Sequence, residues 1–263
     1  MDLQIIFESI LANWHLIALF LTAAVLYSSV GFGGGSSYLA ILALAGFAFS
    51  QIRVTALLCN IVVVSGNVIL FYQQKKLPWK KLFPLVLWSI PLAYFGGKLA
   101  IDKTLFFILL GFTLLFAALS MWISKRLASA TEEKKTLNNI KNATLGGGIG
   151  FLSGMVGIGG GIFLAPLLHL TNWDTPKKIA ATASFFILVN SIAGVFGQFN
   201  NPEFHIDWTF TTILLVTVFI GGQIGTRVSN TLLTPMLLKK ATAILIGFVS
   251  IRILYKHLAP FFF

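Results

Sequence analysis

The six residues "VGFGGG" at 30–35 return as "VGIGGG" at 156–161, with one letter changed. Both copies interrupt long apolar runs. Glycine costs about 1 kcal/mol relative to alanine inside a helix, so glycines this dense mark places where a helix must stop. How these two breaks are read decides the fold, because each falls at a corresponding place in one half of the chain.

The apolar runs identify the solvent. Of 263 residues, 57% are hydrophobic and 10% charged, whereas a soluble domain carries about 25% charged residues. No Asp, Glu, Lys or Arg occurs within 9–52, 54–74, 82–97, 104–124, 142–173, 179–202, 208–226 or 241–251. Unbroken stretches of about 20 apolar residues suit helices that cross a hydrocarbon core. A membrane β-barrel would instead alternate over segments of about 10 residues. The sequence therefore predicts an all-α polytopic membrane protein in contact with the lipid bilayer. The N-terminal "MDLQIIFESILANW" holds two acids and no base, unlike the basic start of a secretory signal, and reads as mature chain. Cys59 is the single cysteine; it excludes a disulfide within the chain and reads as a packed thiol. The net charge is +11. The bases fall in short loops beside the spans, so membrane orientation accounts for them and no nucleic-acid partner is expected.

Apolar segments at 14–30, 36–49, 54–73, 82–100 and 104–123 are answered by segments at 143–156, 162–173, 178–199, 208–227 and about 238–256. Other landmarks repeat in register: "FGGKLA" (95–100) with "IGGQIG" (220–225), and "LLGF" (109–112) with "LIGF" (245–248). Such internal similarity defines the architecture. The expected organisation is an N-terminal repeat (1–123), a polar linker (124–142) and a C-terminal repeat (143–263). Lys and Arg in short loops mark the cytoplasmic side. Lys75, Lys76, Lys80 and Lys81 place the 74–81 loop there, and Lys125, Arg126, Lys134, Lys135 and Lys141 place the linker there as well. The loop "NNPEFHID" (200–207) has two acids and no base, which places it outside. Equivalent loops thus face opposite sides, and the halves are expected to be inverted repeats.

Inversion requires each glycine-tipped pair of segments to leave on the side it entered. Residues 14–49 give about 54 Å of helix and 143–173 about 46 Å, whereas two crossings need about 60 Å. Each repeat is therefore expected to hold a broken or re-entrant glycine-tipped hairpin plus three transmembrane helices. A longer, tilted member that crosses fully is left open. A chain that turns inside the membrane must satisfy its backbone groups in protein or in a wet cavity. A helix N-terminus there presents unpaired N–H donors and about half a positive charge, which is an anion site. Gly33, Gly34, Gly35, Ser36 and Ser37 form the first candidate tip, and Gly159, Gly160 and Gly161 the second. Close helix packing is the competing role for such glycines.

The paired tips, "KKIAATASFFILVNSIAG" (177–194) and "IGGQIGTRV" (220–228) together resemble the sulfite exporter TauE/SafE family over about residues 20–255. The resemblance implies a bacterial membrane protein of two homologous halves that moves sulfite, sulfoacetate or related sulfonates. It departs from symmetry where "IRVTALLCN" stands for "KIAATASFF", so an asymmetric site is expected. Asn60, Asn67, Thr182, Ser184 and Asn190 are candidate donors to such an anion, since amides and hydroxyls bind it without burying a fixed charge. Helix–helix glue is their other role. Asn60 and Asn67, seven apart, share one helix face. Arg252 either lines the path or reaches outward to the interface, as Lys98 and Arg227 are expected to do.

All eight acids lie in termini, loops or the linker, so no carboxylate is available for a proton relay at the membrane centre. His169 is the remaining coupling candidate, with a structural role as its alternative. Export down the membrane potential needs no relay. The expected function is secondary transport of a small sulfur-containing anion, with export favoured, no cofactor and no metal. An anion channel shares the same logic. A phosphate-binding "GxxxxGK[ST]" loop is absent, and His15, His169, His205 and His257 are scattered without metalloprotease spacing, which argues against an ATP-driven pump and an enzyme. A bacterial inner-membrane location and a homodimer are expected.

Overall fold

A computed structural model describes residues 3–29, 31–127, 139–171, 173–228 and 235–262, and among them it contains helices and turns but no strand. The helices are α1 (Leu3–Ala12), α2 (Trp14–Ser29), α3 (Gly35–Leu44), α4 (Phe49–Gln73), α5 (Trp79–Lys98), α6 (Lys103–Leu127), α7 (Asn139–Val156), α8 (Gly161–Leu170), α9 (Pro176–Phe199), α10 (Trp208–Val228) and α11 (Pro235–Phe262). Four are long and apolar enough to cross a membrane by length and composition: Phe49–Gln73, Lys103–Ser120, Pro176–Phe199 and Trp208–Arg227. The chain is an all-helical membrane protein, as its composition requires. Most of the expected linker, 128–138, lies outside the described residues.

The glycine runs end helices where the spacing predicts. Chain breaks separate α2 from α3 and α7 from α8, leaving α3 and α8 only 10 residues each. That is about 15 Å, half the hydrocarbon thickness. Two boundaries differ from the sequence reading. Residues 3–12 form a separate helix, and α4 begins at Phe49 rather than 54, which takes Arg53 into the span. Arg53 is tolerated there because it donates from Nη2 to the carbonyls of Gly96 and Gly97, at 3.4 and 3.3 Å.

Backbone-to-backbone packing orders the bundle. A Cβ on Gly146, Gly150 or Gly154 of α7 would stand 2.1, 2.5 or 1.9 Å from the carbonyl oxygen of Leu85, Ser89 or Ala93 of α5. The two series climb together by fours, so α5 and α7 run parallel in direct main-chain contact, as small residues permit in membranes. Gly221 and Gly225 of α10 meet the carbonyls of Leu21 and Val25 of α2 in the same manner, at 2.8 and 2.3 Å. Each half's broken helix therefore packs on the other half's helix. α4 and α9 are antiparallel: Leu57 meets Gly194, while Gly31, beside Ser184, meets Phe71. α6 and α11 are antiparallel as well, with Phe107 stacked on His257 and Ser250 bonded to the Gly111 carbonyl.

The turns gather at two ends. At the basic end, Lys81 of α5 reaches the turn before α9. Its Nζ lies 3.0 Å from Asp174 Oδ2, donates to the Trp173 carbonyl at 3.0 Å, and stands 5.2 Å from the Trp173 ring. Lys178 adds a second cation 3.7 Å from the same carboxylate. Burial by itself raises the Asp174 pKa. The hydrogen bond from Lys81, the Thr175 N–H and the two lysine charges outweigh it, so the carboxyl stays below its ordinary value. At the opposite end, Asn201 donates to the Leu99 carbonyl at 3.0 Å and Phe47 stacks on Phe210.

Two outcomes follow from this packing. Gly154→Val forces α5 and α7 apart and lowers stability by about 1–3 kcal/mol, read as a reduced melting temperature in detergent. Asp174→Asn lowers stability by about 1 kcal/mol at neutral pH. Because the native carboxyl's pKa is depressed, wild type keeps that advantage above the ordinary carboxylate pKa of about 4. It loses it as pH falls through the lower native value, and comparing the two melting curves across pH measures the window.

Candidate functional site

The two chain breaks come together in the middle of the bundle. At the first, Gly34 caps α3 with φ 89° and its carbonyl accepts from the N–H groups of Ser37 and Tyr38. At the second, Gly160 caps α8 with φ 80° and accepts from Phe163 and Leu164. Both caps are left-handed, where a side chain is strained. Among the described residues, the N–H groups of Gly33, Gly34, Gly35 and Ser36 have no hydrogen-bond acceptor, nor do those of Gly159, Gly160, Gly161 and Ile162. Each tip thus presents four successive unpaired donors at the start of a helix.

Asn60 joins the tips. Its Nδ2 donates to the carbonyl of Ile158 in the second tip at 2.9 Å, and a Cβ on Gly33 or Gly35 of the first tip would fall 2.4 Å from its amide. No larger residue fits at either position without displacing Asn60. Ser184 of α9 donates to the Gly31 carbonyl and holds the first tip from the other side.

A cavity of about 490 Å³ reaches the first tip from the basic end. Gly31 to Ser36 and Asn60 form its floor, with Ile158 and Ile162 of the second tip beside them. Asn67, Phe71, Gln74 and Thr226 form one wall, and Pro166, His169, Pro176 and Lys177 form the other. Among the described residues no Asp or Glu lines it, and Lys177 brings a positive charge to its mouth. Asn67 is held in one orientation: its Oδ1 accepts from Thr226 at 3.2 Å and lies 3.5 Å from Ser28 Oγ. Its Nδ2 is buried without a partner, so the donors of this cavity-lining amide are the part left unspent.

Of the residues singled out from sequence, Gly33, Gly34, Gly35, Ser36, Asn60, Asn67 and His169 line this space. Ser37 is buried and bonds to the Tyr27 hydroxyl at 3.1 Å. Gly159, Gly160 and Gly161 are buried against Asn60, Phe186 and Ile187. Asn190 donates to the Phe186 carbonyl at 2.8 Å, and Thr182 is fully buried. Arg252 is exposed on α11, outside the cavity lining, and Lys98 and Arg227 are exposed too. Tyr27, Ser28, Gln74, Lys177 and Thr226 also belong to the cavity. Two of them carried a visible signal: Ser28 lies close to the first glycine run, and Thr226 lies just past the repeated "IGGQIG" (220–225), within the "IGGQIGTRV" stretch (220–228).

The sequence of the chain matches a family of known proteins. The family model described as sulfite exporter TauE/SafE matches residues 16–253. A probable membrane transporter protein of Sinorhizobium fredii is 30% identical over 242 residues, covering 90% of this chain and 96% of that protein. Another, from Methanocaldococcus jannaschii, is 24% identical over 97% of this chain and all of its own length. The probable membrane transporter protein MamO of Paramagnetospirillum magneticum is 26% identical over 82% of this chain, which spans 40% of that protein. No solved structure matches the chain.

Asn67→Asp keeps the shape of the amide but replaces its donor with an acceptor and adds negative charge. An anionic solute that uses this donor loses a hydrogen bond to a charged group and is expected to bind about 10- to 100-fold more weakly, measured as its half-saturating concentration from the basic side.

Proposed function

We propose a transport cycle for this protein, which belongs to the sulfite exporter TauE/SafE family and is an integral membrane transporter. In this reading it is a secondary transporter that exports a small sulfur-containing anion such as sulfite, sulfoacetate or another sulfonate. The observation that carries it is the cavity whose floor is a row of unpaired N–H groups and whose lining holds no acid. Preorganised backbone donors and the helix N-terminus hold an anion there, and Asn67 Nδ2 adds a further donor. Lys177 raises the local anion concentration at the mouth. No covalent chemistry is assigned, and the protein acts as a carrier rather than an enzyme.

The basic loops that surround the mouth make it cytoplasmic by the distribution of Lys and Arg, with the 124–142 linker on the same side, in a bacterial inner membrane. The two halves, 1–123 and 143–263, are then inverted repeats. The opposite run of α4 against α9 and of α6 against α11 supports this. A carrier is favoured over a channel because the cavity ends at the tips and does not continue to the far side. Movement of a negative charge outward is driven by the membrane potential, at about 2.3 kcal/mol per charge per 100 mV. His169, on the cavity wall, is the candidate for any proton coupling. A homodimer is the proposed assembly.

Proteoliposomes loaded with labelled sulfite or sulfoacetate are expected to release it in a saturable manner, faster when the imposed potential drives anions out of the compartment facing the basic loops. Gly34→Val and Gly160→Val should insert normally and lose this flux. Wild-type rates in both variants, or no flux of either anion through wild type, would refute the reading.

A further inference from the structure

The open cavity uses only part of a longer polar row. Asn60 and Asn67 share a face of α4, and the residue seven positions before Asn60 is Arg53. Seven residues are nearly two full turns, so Arg53, Asn60 and Asn67 form one stripe about 21 Å long. A second stripe with the same spacing runs up α9: Ser184, Ser191 and Gln198. The middle members meet at the second tip, where a Cβ on Gly159 would lie 2.8 Å from Asn60 Nδ2 and 2.9 Å from Ser191 Oγ. Asn67 and Ser184 lie on the cytoplasmic side of that point. Arg53 and Gln198 lie beyond it, towards the end where Asn201 closes over α5.

The far half of this row is sealed and under-satisfied. Arg53 is 1% exposed, Ser191 0% and Gln198 1%. Arg53 Nε, Asn60 Oδ1, Ser191 Oγ and Gln198 Nε2 are all buried without a partner. Buried polar groups are normally paired, and leaving one unpaired costs about 1–3 kcal/mol. Four of them in line on two facing helices are understandable if water or solute reaches them in another state. What holds the region shut is visible. Arg53 Nη2 reaches the carbonyls of Gly96 and Gly97 at the end of α5, and Asn201 covers the same end through the carbonyls of Gly97 and Leu99, at 3.5 and 3.0 Å.

We infer that the two stripes are the walls of a single anion path through the protein, and that Arg53 is the anion-binding cation of its external half, latched onto the end of α5 while the path is open to the cytoplasm. This rests on the transport reading of the cavity. When the external half opens, Arg53 exchanges two carbonyl acceptors for the departing anion, and Ser191 and Gln198 gain solute or water as partners. An arginine within a membrane span is costly, and such residues pair with backbone carbonyls and mark solute or ion paths. The planar guanidinium also suits a multi-oxygen anion such as a sulfonate.

The test has two arms. In a Cys59→Ala background, Gln198→Cys and Ser191→Cys are exposed to a membrane-impermeant cationic thiosulfonate reagent from either side. Modification from the external side, slowed by saturating external sulfoacetate, is expected. Modification from the cytoplasmic side alone, or none at either position, would overturn the path. Separately, Arg53→Gln should raise the half-saturating concentration of external sulfoacetate about 10- to 100-fold, with Arg53→Lys, which keeps the charge but not the planar fork, restoring only part of it. Equal saturation in wild type and Arg53→Gln would remove Arg53 from the path, and a fold defect would appear in both variants alike. If wild type moves no sulfur anion, the functional reading falls, while the labelling arm still decides whether the sealed half opens.

Discussion

The constraint behind this structure is the cost of an unpaired backbone N–H away from water. A helix crossing a bilayer meets it by bonding every donor to the carbonyl four residues back. This chain breaks that rule twice, and it does so where the two breaks can lean on each other. Asn60 spends its amide N–H on the carbonyl of Ile158, and Ser184 spends its hydroxyl on the carbonyl of Gly31. Carbonyls are thereby satisfied by side chains from the long helices, while the N–H groups are left for something else. An arrangement that satisfies its acceptors and leaves its donors bare is the basis of the proposed anion site.

Such a site needs a rigid frame, and the frame comes from glycine in a different use. In α7 and α10 glycines at four-residue spacing bring main chains into contact with α5 and α2. Apolar area drives little of this association, because lipid tails are as apolar as leucine. Close van der Waals contact holds the pairs. The tips therefore hang from two tightly fitted helix pairs, each of which takes one helix from either half.

Charge is distributed to suit the same end. Among the described residues no acid lines the cavity, a lysine stands at its mouth, and the buried Arg53 lies past its floor, bonded to carbonyls while the Glu203 carboxylate acts on it without a direct ion pair. Weak carbonyl contacts at 3.3 and 3.4 Å keep it in place and leave it available. The Lys81–Asp174 bridge, by contrast, fastens α5 to the start of α9 beside the mouth, in a region where solvent lowers the cost of holding charges together.

Much of this was legible in the letters. Composition and unbroken apolar runs give the solvent, because a bilayer reads hydropathy along one segment, and the in-register repeat of the glycine runs gives the two breaks; three glycines alone do not, since Gly146, Gly147 and Gly148 stand inside α7. The seven-residue spacing of Asn60 and Asn67 likewise fixes a shared face without any partner. What the letters left undecided depends on which separate helices pack against one another. Only packing decides that Asn60 gives its N–H to Ile158, that Asn67 keeps its donors free because Thr226 occupies its oxygen, and that the first tip is open while the second is covered by Phe186 and Ile187. Arg53 looked like a loop residue because a charge beside an apolar run usually is one. It sits inside α4 because the end of α5 supplies carbonyls at the right height, and no pattern within residues 49–73 encodes where another helix will end.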